Sequence, residues 1–160
     1  MIGVMSDSHD NLPMIRRAVE VFNAAGCDLV LHAGDIIAPF AARELAGLNG
    51  RVRAVYGNVD GEKPGLRMAF EPLGEIQEAP LVFPHRGREI LLCHIDLPVN
   101  RHLASGDYDI IVFGHTHKPE VRKQGKTVAL NPGETGGWLT GKSTVALVDP
   151  ATLTVEIISL

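Results

Sequence analysis

The sequence has few of the residues that mark an exported or membrane protein. Its two cysteines, Cys27 and Cys93, lie in separate apolar stretches and form no Cys-x-x-Cys pair. Neither a disulfide framework nor a thiolate metal site is readable, and each thiol is expected to pack as a small hydrophobe. No apolar run approaches the ~20 residues of a spanning helix. The apolar opening Met1 to Met5 is broken at once by Asp7, Ser8 and His9, whereas a signal peptide needs a basic start and a longer run. The expectation is a cytoplasmic, reduced protein with no membrane partner. Positive charge is not in excess either. A net charge of -4 leaves no global basic field, so strong nucleic-acid binding is not expected. A small phosphate ester stays open as substrate, because a local pair of cations can hold one phosphate. Repeats, low-complexity stretches and long linkers are absent, and 45% hydrophobic with 21% charged residues fits one domain over residues 1–160.

What is present is an alternation of apolar runs and helical periods. Met1 to Ser6 reads as a buried strand. From Asn11 the pattern turns helical, with Ile15, Ala18, Val19 and Phe22 on one face and Arg16, Arg17 and Glu20 on the other. Asn11 suits the cap, Pro13 the first turn and Gly26 the end. Asp28 to His32 is a second strand. Pro39 opens a helix with Ala41, Leu45 and Leu48 on its apolar face, and Arg51 to Tyr56 is a third strand. This order implies parallel pairing. Gly61 to Gly74 reads as a long surface loop. Glu75 to Pro84 and Arg88 to His94 read as two strands of a hairpin turning at Arg86-Gly87. A short helix from Pro98 to Ser105 and a buried strand from Tyr108 to Phe113 follow. Glu120 to Lys123, Thr127 to Leu130, Ser143 to Val148 and Thr152 to Ile158 read as antiparallel strands. The fold expected is α/β: two stacked mixed sheets flanked by helices.

The chemistry lies in where the potential ligands fall. Asp7 and His9 follow the first strand, Asp35 the second and Asn58 the third. His94 ends the Arg88 strand, and His115 and His117 follow the Tyr108 strand. In open α/β sheets ligands bind at that carboxyl edge. The i, i+2 spacing of Asp7/His9 and His115/His117 lets both side chains of a pair face the same way in extended backbone. Gly34, Gly57 and Gly114 each precede a candidate. Helix capping explains Asp7 and Asp35 poorly, since the helix starts lie several residues further on. Two Asp, one Asn and four His suit Mn, Fe, Zn, Ni or Co better than Ca or Mg. Seven ligands are too many for one ion that must also bind water. Divided between two ions they leave open positions, with Asp35 as the bridge.

These residues also carry a resemblance. Asp7-Ser8-His9, Gly34-Asp35, Gly57-Asn58-Val59-Asp60, His94 and Gly114-His115-Thr116-His117 resemble the motifs of the calcineurin-like metallophosphoesterase superfamily, most closely its small single-domain bacterial and archaeal phosphodiesterases. The match runs from Met1 to about Gly133, and Asn131-Pro132-Gly133 is similar to a family turn. The resemblance implies a dinuclear phosphoesterase, acting on phosphodiesters or activated phosphomonoesters, with two divalent transition metal ions, manganese first among them. Asp7, His9, Asp35 and His117 would hold one ion, and Asp35, Asn58, His94 and His115 the other. A hydroxide shared by the ions would attack phosphorus in line. Asn58 and His94 are the catalytic candidates among these ligands, with Asn58 also contacting a phosphate oxygen.

Two departures follow from the same comparison. Many family members carry His after the Asn to protonate the leaving group, whereas this chain has Val59, which cannot transfer a proton. Slow turnover and a preference for good leaving groups are expected. At Ile95-Asp96 the family usually has Gly-His, so Ile95 narrows the pocket and Asp96 repels phosphate unless neutralised or turned away. Asp60 reads either as a group that orients a ligand or as a turn residue. His32 reads as a core or rim histidine, and Trp138 as a rim or interface residue. Arg51, Arg53, Arg67, Arg86 and Arg101 are candidate phosphate anchors. Strand edges and exposed apolar residues point to a homodimer. The rival reading is a catalytically weak scaffold of the same fold that acts in protein assembly.

Overall fold

The computed structural model of the chain describes residues 1–95 and 98–160, so Asp96 lies outside the described residues. In chain order the elements are β1 (Ile2–Met5), α1 (Leu12–Ala24), β2 (Leu29–His32), α2 (Pro39–Ala42) running into a 3-10 turn (Arg43–Gly47), β3 (Arg51–Val55), α3 (Lys63–Phe70), β4 (Gly74–Gln77), β5 (Leu81–His85), β6 (Arg88–Leu92), α4 (Val99–Ser105), β7 (Ile110–Val112), β8 (Glu120–Gln124), β9 (Thr127–Asn131), β10 (Thr144–Asp149) and β11 (Thr154–Ser159). One sheet has the order β11-β10-β1-β2-β3-β4 and the other β5-β6-β7-β9-β8. β1 to β4 run parallel, with β10 and β11 antiparallel at one side. In the second sheet β6, β7 and β9 are parallel, and antiparallel β5 and β8 form the two edges.

The pleat explains the layering. Alternate residues of a strand face opposite sides, so Ile2 and Val4 of β1 join Leu31, Ile90, Leu92, Val112 and Leu130 in the core between the sheets. Met5 and Val30 face the other way, onto Ile15, Phe22, Leu45, Leu66 and Phe70 of the helices. A third core packs Val99 and Leu103 of α4 on Leu91, Cys93, Ile111 and Phe113. Each fully buried Leu, Ile or Phe contributes about 1.5–3 kcal/mol relative to exposure. This is an αββα sandwich, in line with the expectation from sequence. Asn11 caps α1 through Met14 N–H, and Cys27 and Cys93 are both buried.

Two expectations are corrected. Gly61 to Gly74 is not a long loop: it contains α3, with Pro64 in the first turn, where proline is tolerated, and Leu66, Ala69 and Phe70 buried. Glu75 to Pro84 is not one strand. β4 pairs with β3 in the first sheet and β5 with β6 in the second, and the chain changes sheet around the cis Ala79-Pro80 bond. The hairpin of β5 and β6 does turn at Arg86-Gly87. No described helix is long and apolar enough to cross a membrane.

Candidate metal centre

The parallel strands bring their carboxyl ends to one rim, and the chain turns sharply there. Asp7, His9, Asp35, His115 and His117 all have positive φ, between 42° and 68°. The extended backbone expected for the i, i+2 pairs is therefore corrected: left-handed turns aim these side chains. A non-glycine residue in that region costs on the order of 1–3 kcal/mol and persists only where its surroundings hold it. At Asp35 the buried Asp60 supplies that hold. Its carboxylate accepts the N–H groups of Asp35 (3.0 Å), Ile36 (2.8 Å), Ile37 (2.7 Å) and Gly57 (2.8 Å), so it ties the two loops after β2 and β3 together. Gly57 is needed for close approach, because a Cβ there would strike the Asp35 carboxylate and N–H. Gly114 plays the same part beside Ser6 and Asp7.

All seven candidates from the sequence converge. His117 Nε2 lies 3.5 Å from Asp7 Oδ1, and His9 Nε2 lies 3.9 Å from Asp7 Oδ1 and 3.9 Å from Asp35 Oδ2. On the other side of Asp35, His94 Nε2 lies 3.4 Å from the same Oδ2. Asn58 Oδ1 is 2.9 Å from His94 Nε2 and 2.9 Å from His115 Nδ1. Asp35 Oδ1 accepts the Val59 N–H at 3.1 Å, which leaves Oδ2 as the oxygen facing both groups. Asp7 also approaches the second group: its carboxylate, that of Asp35 and His94 place ligand atoms within 4.8 Å of one another.

The donor set fits a cation. His94 Nδ1 is 2.7 Å from the Ala33 carbonyl, which only accepts, so Nδ1 carries a hydrogen. In a neutral ring Nε2 then points a lone pair at two more acceptors, Asn58 Oδ1 and Asp35 Oδ2. Asp7 Oδ1 and His9 Nε2 are buried without a hydrogen-bond partner. Orphaned acceptors converging in this way are costly unless a positive charge sits among them. The titration behaviour agrees. Burial pushes the Asp7 carboxyl up, and Asp35 pushes it the same way. Burial also works against ionisation of Asp35 and protonation of His94, but their mutual attraction prevails, holding Asp35 low and raising His94.

Other groups position these. Sequence reasoning missed Glu134, which is fully buried. It accepts the N–H groups of Leu139 and Thr140 and the Thr140 hydroxyl, and its Oε1 lies 3.3 Å from His117 Nδ1. The signal available was its place directly after Asn131-Pro132-Gly133. Asn131 donates to Gly114 O and Thr116 Oγ1 and so sets the loop of His115 and His117. His32 is a buried structural residue: its Nδ1 accepts Gly34 N–H and its Nε2 donates to Ser8 Oγ. Burial lowers its pKa to about 4. Trp138 is 65% exposed and its indole N–H donates to His9 O at 3.0 Å, which places it at the rim. Of the arginine candidates, Arg51 and Arg53 sit at the amino end of β3, away from the site. Arg53 pairs with Glu75 and Arg86 with Asp28.

Comparison with known proteins then fixes the lineage. Residues 1–152 match the model of the calcineurin-like phosphoesterase superfamily domain. A phosphodiesterase of Methanocaldococcus jannaschii is 36% identical over 155 residues, covering 92% of each chain. A solved archaeal phosphodiesterase superposes with a TM-score of 0.93 at 32% identity, covering 99% of both chains. Vps29 of Entamoeba histolytica, solved with zinc, has the fold in common at a TM-score of 0.68 and 19% identity, covering 99% of this chain and 98% of that one. This chain belongs to the calcineurin-like phosphoesterase superfamily and has that family's metal-dependent phosphoesterase fold.

Proposed function

We propose that this chain hydrolyses phosphodiesters with good leaving groups, using two divalent transition metal ions. The observation that carries the reading is the crowding of acceptor atoms about Asp35 Oδ2, with His9 Nε2 3.9 Å away on one side and His94 Nε2 3.4 Å away on the other. Asp7, His9, Asp35 and His117 would hold one ion; Asp35, Asn58, His94 and His115 would hold the other. When bound, such ions supply an acidified water as nucleophile and neutralise charge on the phosphoryl oxygens. The mixed imidazole and carboxylate set favours manganese, iron, zinc, nickel or cobalt, and manganese is the ion to supply first.

The chain's own groups do the positioning. Asn58 turns its amide oxygen toward His94 and His115, which leaves its NH2 for a phosphoryl oxygen. His94, fixed by Ala33 O, orients one face of the site. Val59 stands where a proton donor would be needed for a poor leaving group, and its backbone N–H donates to Asp35 Oδ1. Substrates are therefore esters of acidic alcohols or phenols. The phosphodiesterase relatives favour a diester over a monoester, and a small substrate suits the net charge of -4. The scaffold reading has only fold likeness to Vps29 behind it.

The test is hydrolysis of bis(4-nitrophenyl) phosphate by the manganese-supplemented protein and by Asp35→Asn, with metal content measured on both. The reading expects activity in the first and loss of both metal and activity in the second. Unchanged metal and activity in Asp35→Asn would end it.

A further inference from the structure

A pocket of about 340 Å³ opens beside Asn58 and His94. Part of its lining is the polar edge of the site, at Gly57, Asn58 and His94. Beyond that its walls are apolar, from Tyr56, Pro80, Leu91, Cys93, Ile95 and Pro98, with Glu78 and His102 also lining it. Leu91 and Cys93 belong to the packed face under α4, and the Tyr56 hydroxyl is taken up by Lys63 O at 3.3 Å. These walls are set by the fold.

The chemistry of the lining selects its occupant. No lysine or arginine lines it among the described residues. Its one carboxylate, Glu78, is answered by Lys63 Nζ at 2.8 Å, on an ammonium that also lies 5.1 Å from the Tyr56 ring centre. A second phosphate or a carboxylate would face Glu78 and would have to draw Lys63 away from it, which costs free energy. A neutral ring would bury apolar surface against these walls, in a volume within the range of small-molecule sites.

We propose that this pocket receives an uncharged aromatic arm of the phosphoester, so that the substrate is a diester with an aryl arm and not a sugar phosphate or polyphosphate. The inference rests on the functional reading above only for where the phosphate sits.

The experiment is calorimetric binding of non-hydrolysable phosphonates to the manganese-loaded protein. Benzylphosphonate is expected to bind roughly 10- to 100-fold more tightly than methylphosphonate, the gain from burying one ring. 2-Carboxyethylphosphonate is expected to bind no more tightly than methylphosphonate. Ile95→Trp and His102→Trp, substitutions at two lining positions, should each fill the pocket and bring the benzyl-to-methyl ratio near one. Met68→Ala, at an exposed position of α3 that does not line the pocket, should leave the ratio intact. A wild-type ratio near one, a ratio that survives both filling variants, a ratio lost in Met68→Ala, or a preference for the carboxylate arm would each overturn the proposal. The expected ligand order in a protein that cleaves no diester would retain the pocket while removing the catalytic reading.

Discussion

Replacing Asp60 by alanine tests how the site is held in shape. The turn after β2 contains Asp35 at φ 58° and Ile37 at φ 87°. A β-branched residue there is a genuine outlier, and the two together cost about 2–6 kcal/mol. Four N–H groups donate to the Asp60 carboxylate, and hydrogen bonds to a charged group contribute about 1.5–3 kcal/mol each, or roughly 6–12 kcal/mol in all. Burying the carboxylate takes back several kcal/mol. The balance leaves the clip worth a few kcal/mol, enough to outweigh the strain. Asp60→Ala is therefore expected to lower the stability of the ion-free protein by about 3 kcal/mol. Manganese affinity should fall by roughly 10- to 100-fold, as for loss of a group that orients a ligand. Asp60→Asn keeps one acceptor oxygen but sets an NH2 against two N–H groups, so it should fall in between. Urea denaturation and manganese titration by calorimetry measure the two effects. Asp60→Ala within about 0.5 kcal/mol of wild type, with undiminished manganese affinity, would refute the reasoning.

Further outcomes follow from the same geometry. Glu134→Ala frees His117 Nδ1 and the backbone of Leu139 and Thr140, so manganese affinity should drop about 10- to 100-fold, read by the same titration. Val59→His puts an acid next to Asn58 at a position 44% exposed. It should raise kcat for phenyl esters by up to about 100-fold while leaving 4-nitrophenyl esters nearly unchanged, read from the ratio of the two rates. His32 is neutral in the fold, with its pKa lowered by burial from 6.5 to about 4. The unfolded chain takes up the proton first, so stability from this group is present above pH 6.5 and is lost as pH falls toward 4. Denaturation of the ion-free protein across that window should show the decline, and His32→Gln should flatten it.

The site was more legible in the sequence than the sheet arrangement, for a physical reason. Each ligand candidate directly follows an apolar run, so local pattern alone places it at a strand end. Which strands share a sheet depends on contacts far apart in sequence, and that is why Glu75 to Pro84 read as one strand when it serves two sheets. α3 was hidden by Pro64 and Gly65 in its first turn, although Leu66, Ala69 and Phe70 carry the helical spacing. Glu134 was missed because its place after Asn131-Pro132-Gly133 suits a turn acid equally well, and only its partners in the fold, His117 and the Leu139 and Thr140 backbone, set it apart. The left-handed backbone at Asp7, His9, Asp35, His115 and His117 is likewise a tertiary property, imposed by bonds such as those to Asp60.

The most direct measurement is anomalous diffraction from crystals grown with manganese. Two peaks about 3.5–4 Å apart, flanking Asp35 Oδ2 with Asp7, His9 and His117 about one and Asn58, His94 and His115 about the other, are the predicted result. No peak at this rim, or a single ion that Asp35 does not contact, would contradict the account.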